Sequence, residues 1–176
     1  MIKPIKKKIL YENTWVRFHE DEVQFPDGSE GKYAYMDRVD SGPMIIPMTE
    51  NGKIVVLKEW RYPIQGWTYC FPFGGKNNAE DIITAAQREL KEETGYVAKE
   101  WVSIGSIQID PGANTQTTPI FVAKGLTQLE AHSDASEVHE VCEFSIEEIE
   151  TMIQNGEMTN GWLLGGFAKL KLFLKS

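Results

Sequence analysis

Apolar and polar residues alternate along positions 6–40, and a period of two is the pattern of strands that cover one face. The stretch FPDGS at 25–29 places a Pro-Asp-Gly turn between TWVRFHEDEVQ and EGKYAYMDRV, which predicts a β-hairpin or small antiparallel meander. Near residue 41 the pattern changes to short, nearly continuous apolar runs. GPMIIPM at 42–48 and KIVVLKEW at 53–60, separated by the turn residues Asn51-Gly52, predict a second and more deeply buried pair of strands.

A period of 3.6 takes over at 79–94, where Ile82, Ile83, Ala86 and Leu90 form one stripe and Gly95 stands where a left-handed cap ends a helix. Strands are predicted at 101–109, 119–123 and 138–144. SIEE at 145–148 is a capping box, and Ile146, Ile149 and Ile153 give the helix behind it a buried face. A last helix at 160–174 carries the core candidates Trp162, Leu163 and Phe167 and is loosened by Gly165 and Gly166. Strands mixed with helices, without repeats or low-complexity linkers, predict an α/β sandwich with a mixed sheet over 41–176, preceded by the strands of 1–40.

Composition narrows the function classes. A length of 176 residues is enough for one real core and excludes a second large domain. The net charge of −8 argues against a general nucleic-acid binder, which needs a basic surface. No apolar stretch reaches membrane-spanning length, and the lysines at 3, 6, 7 and 8 have no apolar segment behind them, so neither a span nor a secretory signal is expected. Cys70 and Cys142 form no C-x-x-C pair and lie in apolar runs, which reads as thiols in a reducing, cytoplasmic compartment.

The candidate chemistry is concentrated in FPFGGKNNAEDIITAAQRELKEETGY at 71–96. On a helix Glu89, Glu92 and Glu93 are neighbours, and each like-charge pair costs an isolated helix about 0.2–0.5 kcal/mol. Their place near the C-terminal end also opposes the helix dipole. A hard divalent cation with oxygen ligands would reverse that sign. Arg88, four residues before Glu92 and eight after Glu80, is placed to tether carboxylates that do not ligate.

Gly74, Glu80, Arg88-Glu89, Glu92-Glu93 and Gly95 stand at the spacing of the Nudix box, and a chance match to that many fixed identities is below about one in a million. The chain therefore resembles the Nudix hydrolases, which cleave a nucleoside diphosphate linked to another moiety. Tyr96 stands where the family prefers an aliphatic residue, a mild departure. The resemblance implies a Nudix-type α/β/α sandwich, Mg²⁺ with Mn²⁺ as a substitute, and metal binding by Glu89, Glu92, Glu93 and the carbonyl of Phe73. Arg88 and Glu80 would support the catalytic carboxylates, and Gly74 and Gly75 let backbone approach the metal and pyrophosphate.

Two further stretches resemble the branch of the family that cleaves ADP-ribose and other nucleoside diphosphate sugars, GDP-mannose among them. Pro111 lies 15 residues beyond Tyr96, and EWRYP at 59–63 resembles Q-x-R-Y-P, whose arginine, here Arg61, contacts substrate. In that branch a late loop supplies the general base. HSDASEVHEV at 132–141 is the matching region, with Glu137 the first candidate beside Asp134 and a box glutamate. The branch's E-L-P-x-G is C-F-P-F-G here, so Cys70 replaces a common glutamate and substrate preference is left open. Trp60, Tyr62, Trp67 and Tyr69 could stack a base or belong to the core. N-terminal strands in this group commonly exchange between subunits, which implies a homodimer with Phe18, Arg17 and Arg38 near the nucleotide. The alternatives are a nucleotide sensor of this fold without catalysis, and a hydrolase of another nucleotide class.

Overall fold

The computed structural model describes residues 1–38, 41–77, 79–129 and 139–175. Contacts divide the chain into two units, Met1–Ser41 with Gln108–Thr117, and Gly42–Ile107 with Thr118–Ser176.

The first unit is built on β3 (Val16–Gln24) and β4 (Glu30–Arg38), the hairpin that the alternation predicts. Its turn closes through the Phe25 N–H to the Ser29 carbonyl at 2.8 Å, with Gly28 at φ 89, a left-handed conformation that favours glycine. β1 (Lys3–Lys6) and β2 (Ile9–Glu12) pair antiparallel with β3 and share its other edge. Alternate residues His19, Asp21 and Val23 are buried. Asp21 accepts from the Lys8 N–H and the Tyr35 hydroxyl, while His19 stacks on Tyr35 with ring centroids 4.5 Å apart. The segment Gln108–Thr117 belongs here because Met36 exchanges backbone hydrogen bonds with Ala113 and Thr115.

The second unit holds two three-stranded sheets. β6 (Ile54–Arg61) lies between β7 (Gly66–Cys70) and β10 (His139–Phe144), all antiparallel. β9 (Thr118–Gln128) lies between β5 (Met44–Pro47), which is parallel to it, and β8 (Tyr96–Ile107), which is antiparallel. The expected pairing of the strands at 42–48 and 53–60 is thus corrected: past the end of β5 the chain makes a Met48–Ile54 bridge and a Thr49–Lys53 hydrogen bond, but β5 and β6 enter different sheets. β5 and the first four residues of β6 are buried on both faces, so each is covered on two sides there, which a lone hairpin cannot do. The sequence reading also passed over β7, whose GWTYC lacks a clean alternation.

Three helices complete the layers. α1 (Ile82–Thr94) covers one face of the mixed sheet through Ala86 and Leu90 against Ile45, Phe121 and Ala123. The other face of β5 and β9 presents Met44, Ile46, Ile120 and Val122 to the main core. That core also takes Ile54, Val56, Phe71, Ile149 of α2 (Ile146–Gln154), and Leu163, Phe167 and Leu170 of α3 (Gly161–Phe173). Ser145 and Glu148 form the capping box reciprocally, as the sequence predicts. α3 runs through Gly165 and Gly166 without a break, correcting the expected loosening. Gly166 is there for packing: a Cβ would lie 2.7 Å from Met44 Sδ and 3.0 Å from the Phe71 ring.

Candidate active site

α1 begins later than its apolar pattern suggests, because the Asp81 side chain accepts the Thr84 N–H at 2.7 Å and fixes the N-cap there. It ends at Gly95, whose φ of 72 and N–H to the Lys91 carbonyl make the left-handed cap that the sequence predicts. Ahead of the helix Glu80 is held from several sides, with the Lys76 ammonium on its carbonyl, the Asn77 N–H on its carboxylate and its own N–H on the Asn77 carbonyl.

These two ends bring the charged residues together around Arg88. Its Nε donates to Glu80 Oε1 at 2.8 Å, and its Nη2 donates to Glu80 Oε2 at 3.1 Å and to the Gly75 carbonyl at 2.8 Å. Its Nη1 donates both to Glu89 Oε1 at 2.7 Å and to Glu92 Oε2 at 2.9 Å. One guanidinium thus ties the glycine loop to three carboxylates, a use of the planar fork that lysine could not copy. Glu80, hydrogen-bonded first by Arg88, is held down to about 2. Arg88 in turn holds its proton more firmly than usual, first through Glu80 and then, against burial, through Glu89 and Glu92.

The box glutamates differ in surroundings. Glu89 is buried, Glu92 is exposed, and Glu93 is half-buried with its Oε2 accepting the Phe73 N–H at 3.0 Å. Gly74 is required by Glu89: a Cβ on residue 74 would fall inside its carboxylate. Gly42, which the sequence reading did not single out, has the same need, since a Cβ there would collide with the Gly74 carbonyl. The loop is therefore pressed between Gly42 and Glu89 with no room for side chains.

This donor set suits a hard divalent cation. It is all oxygen, and Glu89 and Glu92 already share one cationic point, Arg88 Nη1. Among the described residues no three His, Cys, Asp or Glu side chains converge on a single point, because Glu92 turns to the arginine and Glu93 to the Phe73 backbone.

The remaining sequence candidates fall as follows. Arg61 ends β6, is half exposed, and pairs with the buried carboxylate of Glu59. Phe18 is exposed on β3 and Arg38 ends β4. Pro111 lines a cavity of about 310 Å³ in the first unit with Tyr33, Tyr35, Gly112 and Asn114. Tyr69 packs edge-on to Phe144 in the core, whereas Trp60, Tyr62 and Trp67 are exposed. Glu137 and Asp134 lie outside the described residues. Sequence reasoning missed Glu59 as a site residue. Its signal was the alternation of β6, where Val55, Leu57 and Glu59 share one face and the first two are buried. The Cys70 thiol donates to Glu59 Oε2 at 2.9 Å, and burial followed by that carboxylate pushes the thiol well above its usual range.

Comparison with known proteins bears on this site as a whole. Residues 39–161 match the family model of the NUDIX domain. The chain is 27% identical over 158 residues to an ADP-ribose pyrophosphatase of Bacillus subtilis, covering 89% of this chain and 85% of that protein. It is 30% identical over 148 residues to a methanol dehydrogenase activator of Bacillus methanolicus, covering 83% and 80%. The crystal structure of an ADP compounds hydrolase superposes with a TM-score of 0.87 at 17% identity, covering 99% of this chain and 94% of that one, a likeness of fold. A family model that spans most of the chain, on a fold that presses a glycine loop against a glutamate helix, identifies this protein as a member of the Nudix hydrolase family.

Proposed function

We propose that the protein hydrolyses the pyrophosphate bond of nucleoside diphosphate sugars, ADP-ribose or relatives such as GDP-mannose, to a nucleoside monophosphate and a sugar phosphate. The observation that carries this reading is the Arg88 brace, which holds Glu80, Glu89 and Glu92 against the Gly74-Gly75 loop. Glu80, Arg88, Glu89 and Glu92 all make specific contacts there and Glu93 accepts the neighbouring Phe73 N–H, which suits catalysis better than sensing. Similarity to the ADP-ribose pyrophosphatase of Bacillus subtilis favours the substrate class, as do Arg61 and Pro111.

Members of this family generally use divalent metals. Here Mg²⁺, with Mn²⁺ as a substitute, would be held by Glu89, Glu92, Glu93 and the Phe73 carbonyl. When bound it supplies neutralisation of the pyrophosphate charge and acidification of water. Arg88 keeps Glu89 and Glu92 aimed, and Glu93 is steadied by the Phe73 N–H. Water adds to one phosphorus, the bridging P–O bond breaks, and the water proton passes to a carboxylate, for which Glu137 is our first candidate.

Turnover of ADP-ribose, GDP-mannose, ATP and a dinucleoside polyphosphate at equal Mg²⁺, with products separated by chromatography, tests the reading. A nucleoside diphosphate sugar should have the highest kcat/KM. ATP or the dinucleoside polyphosphate winning by about tenfold would move the enzyme to another nucleotide class. Binding without turnover would make it a sensor.

We further propose a homodimer in the cytoplasm. Ile5, Ile9, Tyr11, Trp15 and Phe18 are all exposed on the first unit, large apolar side chains that a second copy would cover. Both cysteines are free, which suits a reducing compartment.

A further inference from the structure

Glu59 is 6% exposed, near the end of β6, and has two partners. Its Oε2 accepts the Cys70 thiol at 2.9 Å from the adjacent strand and pairs with the Arg61 guanidinium two residues along its own strand. A buried carboxylate is expensive unless it is paired, and an apolar residue of the same volume would often serve the fold as well. Stability alone therefore gives little reason for a charge at this position. The partner supplies one, because the Arg61 side chain is 53% exposed and reaches outward from a base that is shut inside.

The surroundings connect this pair to the glutamate helix. Cys70 ends β7, and the chain passes directly through Phe71 and Pro72 to Phe73, whose N–H is on Glu93. β6 and β7 pair antiparallel with Glu59 opposite Thr68, so the Glu59–Arg61 pair stands beside the strand that leads into the Phe73–Glu93 contact.

We infer that Glu59 is a positioning residue, which fixes the Arg61 guanidinium toward an anionic oxygen of the substrate and is itself fixed by the Cys70 thiol. A long arginine on a strand end samples many rotamers, and ordering it on binding costs affinity. A buried carboxylate at its root removes that cost beforehand. The thiol aims the carboxylate, since a protonated sulfur can only donate here. The inference rests on the pyrophosphatase reading given above.

A purely electrostatic role makes the opposite prediction. If Glu59 only masked the arginine's charge, removing it would strengthen attraction for a phosphate and lower KM. Positioning requires KM to rise.

The test is steady-state kinetics of the full-length protein with ADP-ribose and Mg²⁺. Glu59→Gln should raise KM by about tenfold and leave kcat within about threefold. Arg61→Ala should raise KM at least as much, and the Glu59→Gln/Arg61→Ala pair should be no worse than Arg61→Ala alone. Cys70→Ala, which leaves both charges in place, should raise KM by about threefold. The Glu59→Gln/Cys70→Glu pair, which returns a carboxylate from the adjacent strand, should recover most of the loss, a rescue that a merely structural role would not give. An unchanged or lowered KM in folded Glu59→Gln, or independent multiplication of the Glu59 and Arg61 effects, overturns the inference. Should Glu59→Gln fail to fold, an unmoved KM in Cys70→Ala overturns it instead. If the parent turns over no nucleoside diphosphate sugar, the pyrophosphatase reading has failed and takes this inference with it; if the parent is active and KM is unmoved, this inference alone has failed.

Discussion

Glu93 has a backbone N–H on one oxygen, a half-buried setting and a glycine loop alongside, so an amide in its place would keep the shape and lose the charge. Glu93→Gln should stay folded and lower kcat by several orders of magnitude. A folded variant within about threefold of the parent, roughly 0.65 kcal/mol of barrier, would remove Glu93 from the metal-binding set. Glu80 makes a different prediction, because its value of about 2 lies below the ordinary 4.5. A carboxylate depressed by folding stabilises the native state fully above its unfolded value, and that contribution fades as pH falls from about 4.5 toward 2. Thermal melts of parent and Glu80→Gln should differ most at neutral pH and converge across that window, and parallel curves would mean that Arg88 does not set the shift. At this scale the spacing of Glu80, Arg88 and Glu92 was legible, since helix geometry makes neighbours of residues four apart and a long arginine reaches back to the N-terminal turn. The Glu93 contact with Phe73 was not legible, because it joins a helix to a loop 20 residues away.

At the scale of elements, caps and stripes were read correctly because they are local. The Ser145 box, the Gly95 cap and the Ala86-Leu90 stripe each depend on residues within about one or two helical turns. Glycine was harder to read, since a propensity argument treats Gly165 and Gly166 as weak points in α3. The structure gives Gly166 a packing role against Met44 and Phe71. Gly166→Ala should therefore destabilise the protein by about 1–3 kcal/mol, as overpacking does, although alanine is the better helix former. Urea unfolding measures this, and a variant as stable as the parent would show that Met44 can move aside. The same limit explains β5 and β6. Their shared turn is written in Asn51-Gly52, but their sheet partners are β9, β7 and β10, and the nearest of these strands ends at Cys70.

For the whole molecule, the large apolar side chains exposed on the first unit make an association prediction. Sedimentation at micromolar concentration should give about twice the 20.0 kDa chain mass, and polar substitution of Trp15, 66% exposed, should shift it toward monomer. A monomeric parent with full activity would end the dimer proposal. Among the described residues no helix is long and apolar enough to cross a membrane. The first unit also recruits Gln108–Thr117, a segment that no pattern in 1–40 announces, through the backbone of Met36.

The sequence by itself determined the glutamate helix, its caps, its arginine and the family to which the chain belongs, because those depend on fixed spacing along one short segment. It also determined the N-terminal hairpin, whose period and turn are local properties. Only the tertiary structure decided that Gly42 and Gly74 leave no space beside Glu89, that β5 and β6 separate into two sheets, and that a buried Glu59 links Cys70 to Arg61. Each of these is a meeting between segments whose order in the chain does not specify their distance. Periodicity records which face of an element is covered, whereas the identity of the covering group depends on how the covered faces are packed together.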